Sequence, residues 1–227
     1  MKKLYVAFVG LAALFLTAFT TTLQTQLASD AASWSPDTLA FITTTRLTEQ
    51  RKNKPPETNV FVERYDPSAQ PSWTLVSVDG APPSKKDVKR AQKRHKDRKS
   101  VPGYHRNAKW LGQPATLSGD VLIYDGFEKK TFDMGPIEIA KKLKGIAHID
   151  RSGPEPFIDH VTFTLTKPTR AALVAKIDAM SIDTTFRRLP SGRPVPDRVE
   201  FTTKGSIFGR SGTQTAFTRY SEFRELN

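Results

Sequence analysis

Ile158-Asp159-His160-Val161-Thr162-Phe163-Thr164-Leu165-Thr166 alternates apolar and polar residues with a period of two. Val161, Phe163 and Leu165 fall on one side, and Thr162, Thr164 and Thr166 on the other. This is the pattern of a strand buried on one face. The segments on either side repeat it at hairpin spacing. Gly145 to Asp150 is a strand before the turn at Ser152-Gly153-Pro154. Arg170 to Arg188 is a long one. Its apolar face runs Leu173, Ala175, Ile177 and Ala179, then resumes on the other parity as Met180, Ile182 and Phe186. That slip predicts a bulge or tight bend near Ala179. Pro190-Ser191-Gly192 is a turn, and Pro194 and Pro196 confine the next strand's start to an edge or a bulge. Val199 to Phe208 and Thr213 to Arg224 complete the run.

The N-terminal half is also strand-rich. Leu39 to Arg46 (LAFITTTR) carries β-branched residues on both parities. Thr58 to Tyr65 (TNVFVERY) stops at Asp66-Pro67, and Trp73 to Val78 (WTLVSV) ends at Asp79-Gly80. Val101 to Ser118 reads as a loop, with Trp110-Leu111 tucking it onto the domain. Asp120 to Phe127 and Lys129 to Met134 read as a hairpin across Asp125-Gly126. Pro136 to Lys144 reads as a short helix opened by proline and closed by Gly145. About nine strands and two helices predict a mainly β (α+β) fold, built on a large antiparallel sheet with helices over one face. Such a sheet curls into a barrel or half-barrel.

One segment breaks the strand pattern. Ser84 can cap a helix, with Asp87 three residues on. Lys85 to Lys99 then carries nine Lys or Arg and two Asp. Val88, Ala91 and His95 make a stripe too thin for a core helix. An inserted basic helix over residues 84–99, packing weakly and largely in solvent, is expected.

Met1-Lys2-Lys3 followed by apolar Leu4 to Ala18, with no charge until Asp30, is the pattern of a secretory signal. Small residues between Thr25 and Ala32 place cleavage after Ser29 or Ala31. The expected division is therefore a signal over 1–29 and one domain over 30–227. The other reading is a single uncleaved anchor, for which the run is a little short against the ~20 residues a spanning helix needs. The chain has no cysteine, so disulfides, thiolate metal sites, cysteine nucleophiles and lipidation at an N-terminal cysteine are ruled out. The formal charge of +12 falls to +10 once Lys2 and Lys3 are lost. In the periplasm the matching polyanions are lipid headgroups, lipopolysaccharide and acidic polymers rather than nucleic acid.

Two blocks carry a resemblance. The first is Glu63-Arg64-Tyr65-Asp66-Pro67 with Trp73-Thr74-Leu75-Val76-Ser77-Val78-Asp79-Gly80, Pro82-Pro83 and the charged helix. The second is Arg187-Arg188-Leu189-Pro190-Ser191-Gly192-Arg193-Pro194-Val195-Pro196 with two closing strands. Together they resemble bacterial exported proteins of the LolA/LolB-type outer-membrane lipoprotein carrier superfamily. The resemblance implies a half-barrel with an apolar concave side capped by helices. It implies that this side holds acyl chains or a partner's hydrophobic segment. Receptor-type members are themselves lipoproteins, and this chain has no cysteine to acylate.

The sequence holds little catalytic chemistry. His95 and His105 lie in or beside the basic segment. His148-Ile149-Asp150 and Asp159-His160 offer a His–Asp pair on neighbouring strands, short of the three or four converging ligands zinc needs. Gly205-Ser206-Ile207-Phe208-Gly209 has the wrong spacing for a nucleophile elbow. Gly209-Arg210-Ser211-Gly212 is an inter-strand loop with no following helix to bind phosphate. No catalytic residue, metal or cofactor is expected, and no nucleic-acid partner.

Two features remain for binding. Phe41, Phe61, Tyr65, Trp73, Tyr124, Phe132, Phe163, Phe201 and Phe217 can line a cavity or fill a core, and the resemblance favours the cavity. Lys85, Lys86, Lys89, Arg90, Lys93 and Arg94 can meet an anionic membrane surface, each adding about 1 kcal/mol. The expected function is a periplasmic binding protein for a lipidic or apolar ligand. The alternative is an envelope scaffold or sensor that binds another protein through its sheet edges or basic helix.

Overall fold

The computed structural model describes residues 22–96, 101–132, 138–171, 175–207 and 210–226. Residues 22–33 form helix α1. β1 (Leu39–Arg51), β2 (Glu57–Tyr65) and β3 (Trp73–Val78) follow, then α2 (Lys85–Lys96) and the short α3 (Ala108–Leu111). The remaining strands are β4 (Thr116–Ser118), β5 (Val121–Tyr124), β6 (Leu143–Asp150), β7 (Phe157–Leu165), β8 (Thr169–Ala171), β9 (Ala175–Arg188), β10 (Pro194–Ile207) and β11 (Arg210–Glu225). They make one antiparallel sheet ordered β3-β2-β1-β11-β10-β9-β7-β6-β5-β4, with β8 paired to β9 off this path. The sheet is curved and open, as expected. Its first and last long strands, β1 and β11, pair from Leu39–Glu225 to Arg51–Gly212.

The two local irregularities read from the sequence are present. Lys204 pairs with Ala179 and Gly205 with Ile177, so Asp178 is the extra residue of a bulge. A Cβ on Gly205 would lie 2.2 Å from the Lys176 carbonyl oxygen, far inside van der Waals contact, so only glycine fits beside this bulge. Pro196 pairs with Phe186 and Arg198 with Thr185, leaving Asp197 as a second bulge where proline supplies no N–H.

Three local expectations are corrected. Over the described part of Pro136 to Lys144, only a three-residue 3-10 turn forms, Ala140–Lys142. Leu143 already opens β6, which buries Leu143, Gly145, Ala147 and Ile149 in alternation. Sheet pairing outweighs the weak helix preference of this lysine-rich segment. The hairpin across Asp125-Gly126 is absent among the described residues. β5 pairs instead with β4 and β6. Gly126, at φ 117°, turns the chain so that Phe127 enters the core and donates its N–H to the Ala140 carbonyl. Residues 133–134 of the expected strand lie outside the described residues. Finally, the Val101 to Ser118 loop contains a 3-10 turn, α3 and β4, and Trp110 and Leu111 are buried as expected.

Both cores lie on one face of the sheet, here called the inner face. The larger packs α1 and α3 onto β5, β6, β7 and β9. Leu23, Leu27 and Ala31 of α1 meet Trp110, Leu111, Tyr124, Phe127 and Phe163 there. Gln24 fastens α1 by donating to the carbonyls of Leu111 and Gln113, each at 2.9 Å. Residues 22–29, which the sequence reading assigned to the signal, are part of α1 and pack against this core. The smaller core gathers Leu39, Phe41, Tyr65, Val195 and Tyr220, with Trp73 and Phe223 against them.

Candidate functional site

The nine aromatic residues do not converge on one space. Tyr124 and Phe163 are closed in the larger core, where Trp110 meets both rings edge-on at 5.4 and 5.3 Å. Phe132 fills the gap beside them, 5.0 Å from Phe127 and 4.9 Å from Phe163. Phe41 and Tyr65 are closed in the smaller core, 5.1 Å apart, and Trp73 packs on both. These six rings occupy one another's space as a core does. Phe217 is 37% exposed and lies on the outer face. It stands opposite Arg46 and Glu200, whereas its neighbour Ala216 stands opposite Leu47 and Phe201. Phe61 and Phe201 remain as half-buried rings of the inner face.

Around these two rings the register assembles a strip between the cores. One row runs Ile182, Phe201, Ala216 and Leu47 across β9, β10, β11 and β1. The next runs Thr184, Val199, Thr218, Thr45 and Phe61. Every one of these residues is half-buried. Thr45 and Thr218 join hydroxyls at 2.9 Å at the centre of the strip, one donating to the other. The wall they form with their methyl groups is apolar in effect. Leu47, Val199, Ala216 and the threonines were not singled out in the sequence. Only cross-strand register brings them side by side.

The basic helix is capped as expected. Asp87 N–H donates to the Ser84 hydroxyl at 3.2 Å, and Ser84 N–H donates to the Asp87 carboxylate at 3.3 Å. Lys85, Lys86, Lys89, Arg90, Lys93 and Arg94 are all exposed as residues. The expectation of weak packing is corrected at the helix's last turns, where Ala91 is buried. Arg94 and His95 converge on Oε1 of Glu63, at 2.5 and 2.8 Å. The Glu63 and His95 side chains are 7% and 8% exposed. Arg94 also lies over the Phe61 ring, 5.5 Å from its centroid. Burial raises the Glu63 pKa, but the His95 hydrogen bond and the Arg94 charge outweigh it and hold the carboxyl below its ordinary value. Arg94 is therefore committed to the protein itself, while the other five cations face solvent. An acid at an inward position of TNVFVERY, between Phe61 and Tyr65, was the sequence signal for this buried pair.

The remaining histidines lie apart from the strip. His148 and His160 stack on neighbouring strands, with centroids 5.3 Å apart. His160 Nε2 meets the Asp183 carboxylate at 2.7 Å, so the partner is Asp183 rather than Asp150 or Asp159. Among the described residues no three His, Cys, Asp or Glu side chains group to hold a metal. His105 is held below the ordinary imidazole value by burial first and by the Arg106 charge second. An open groove of about 340 Å³ runs beside α1, lined by Thr22, Leu23, Gln26, Arg151, Gly153, Pro154 and Pro156. Of these, none is among the residues expected to bind.

No family model and no curated protein matches the chain. It is similar to a crystal structure of a LolA superfamily protein from Nitrosomonas europaea, at 10% sequence identity over 90% of this chain and 93% of that one. The TM-score of that match is 0.29.

Proposed function

We propose that the protein is a non-catalytic periplasmic binding protein that holds a lipidic or apolar ligand along the inner-face strip. One observation carries this reading: the strip is half-buried and mainly apolar, and it bridges the two cores, with Ile182 and Phe201 against the larger and Val199 against the smaller. Leu47, Phe61, Val199, Phe201 and Ala216 offer contact to a chain laid along the sheet. The Thr45 and Thr218 hydroxyls share one hydrogen bond there, which lowers the cost of covering them. Each methylene covered adds about 0.8 kcal/mol, so an acyl chain gains enough to bind without a charged contact. The unpaired cations of α2, Lys85, Lys86, Lys89, Arg90, Lys93 and Lys96, bring the protein close to an anionic membrane, where such chains are found. No residue has a covalent role in this reading.

Native mass spectrometry of protein prepared without detergent tests it, together with titration of a fluorescent fatty acid. Co-purifying lipid and saturable probe binding that Phe201→Glu abolishes are expected. A clean unliganded mass with no probe binding overturns the reading.

A further inference from the structure

The outer face of the central strands carries an arrangement that the inner-face reading leaves unused. Arg198 stands directly opposite Arg219 across β10 and β11. In the adjacent row Phe217 stands opposite Arg46 on one side and Glu200 on the other. Arg64 lies one row away on the other side, opposite Ile42. All four arginines are exposed. Arg198 reaches Asp183 at 3.9 Å, and Asp183 is already engaged by His160 and Thr162. Among the described residues, Arg46, Arg64 and Arg219 form no ion pair. Phe217, at 37% exposure, is one of two large apolar side chains exposed to that degree among the described residues.

Like charges directly opposite on a strand pair weaken the sheet. The free protein therefore keeps Arg219 against Arg198 at a cost to its own stability. A partner carrying carboxylates would remove that cost, because the guanidinium fork donates two parallel hydrogen bonds to a carboxylate. Composition favours a protein as that partner. Interface centres are rich in arginine and aromatic residues and poor in lysine. The rows around Phe217 hold no lysine, whereas the exposed face of α2 is mostly lysine.

We infer that the outer face of β1, β2, β10 and β11, centred on Phe217, docks an acidic segment of another protein. Arg46, Arg198 and Arg219 receive its carboxylates, and Phe217 is the apolar anchor. Glu200, beside Phe217, sets a limit on how far the acidic segment extends toward β9.

The test uses the folded protein and a fluorescent synthetic peptide alternating Glu and Leu, with phosphatidylglycerol vesicles as the second probe. The variants are Arg46→Gln/Arg219→Gln on the outer face and Lys85→Gln/Lys89→Gln/Lys93→Gln on α2. Peptide affinity is expected to fall about tenfold in the arginine pair variant and to persist in the lysine variant. The thermal midpoint of the arginine pair variant is expected to equal or exceed that of the natural chain. Absence of peptide binding by the natural chain overturns the inference, as does an affinity insensitive to Arg46 and Arg219 or lost with the lysines instead. Vesicle binding that depends on the two arginines overturns it in favour of a lipid surface.

Discussion

The imidazole of His95 lies flat on the indole of Trp73, with centroids 4.3 Å apart and planes within 1°. Its Nε2 meets the buried Glu63 carboxylate at 2.8 Å. A helix built mainly of exposed cations is thus anchored to the sheet by two residues of its last turn. The stack supplies apolar contact, and the carboxylate supplies direction. Together they hold Arg94 over Phe61, at the margin of the inner-face strip.

Stability at acid pH follows from this anchor. The folded Glu63 carboxyl titrates below its ordinary value near 4.5. Its contribution is complete above that value and is lost as pH falls through the folded one. Urea midpoints measured from neutral pH down to pH ~3 should therefore drop more steeply in the natural chain than in Glu63→Gln. At neutral pH the variant should be less stable by about 1–3 kcal/mol, because a buried charged hydrogen bond is replaced by a weaker neutral one. Parallel acid profiles for the two proteins would remove Glu63 from this account.

The N-terminal boundary of the folded unit is open to a direct measurement. Leu27 is fully buried and Leu23 nearly so, and Gln24 ties α1 to Leu111 and Gln113. Processing after Ser29 would remove all three. A chain beginning at Thr22 should fold cooperatively. One beginning at Asp30 should lose several kcal/mol, and Leu27→Ala alone about 2–5 kcal/mol. If the chain is exported and processed, the intact mass of the product should correspond to a first residue at or before Thr22. A product beginning at Asp30 that is as stable as one beginning at Thr22 would contradict the packing of α1.

Two glycines allow the backbone or a ring to come close, and they should respond differently to alanine. At Gly145 a Cβ would lie 2.6 Å from the Phe127 ring, which Tyr124, Phe132 and Phe163 hold in place. At Gly205 the obstacle is the Lys176 backbone carbonyl. A ring can shift slightly, but a paired strand cannot. Gly145→Ala should cost about 1–3 kcal/mol, and Gly205→Ala more, read from thermal midpoints. Equal, negligible losses would show that the sheet relaxes freely at both positions.

The features legible in the sequence were those with local causes. The parity slip near Ala179 marks the Asp178 bulge, Pro196 marks the bulge beside it, and Ser84 with Asp87 marks the helix start. What could not be read depends on register. Phe217 and Ala216 are adjacent in sequence and sit on opposite faces. Which of them faces inward is set by the pairing of β11 with β1 and β10, not by either residue. The same holds for the strip, whose members come from five strands. Phe41, Tyr65, Tyr124 and Phe163 have the residue type of a binding wall, but helices and other rings close over them. The Pro136 to Lys144 segment has a local helix signal that pairing with β5 and β7 overrides.

The cations of α2 divide by what they already touch, and this division makes the last prediction. Lys85, Lys86, Lys89, Arg90 and Lys93 are exposed, and among the described residues none forms an ion pair. Arg94 is bound to Glu63. Each free cation near an anionic surface adds about 1 kcal/mol, and salt screens the attraction beyond ~8 Å at physiological strength. Replacing Lys85, Lys89 and Lys93 with Gln should therefore weaken flotation with phosphatidylglycerol vesicles by roughly a hundredfold at low salt, with little effect at high salt. Arg94→Gln should do the reverse: nearly unchanged flotation, but a lower thermal midpoint from the loss of the Glu63 pair. Flotation that depends on Arg94 and not on the three lysines would place the membrane contact elsewhere on the protein.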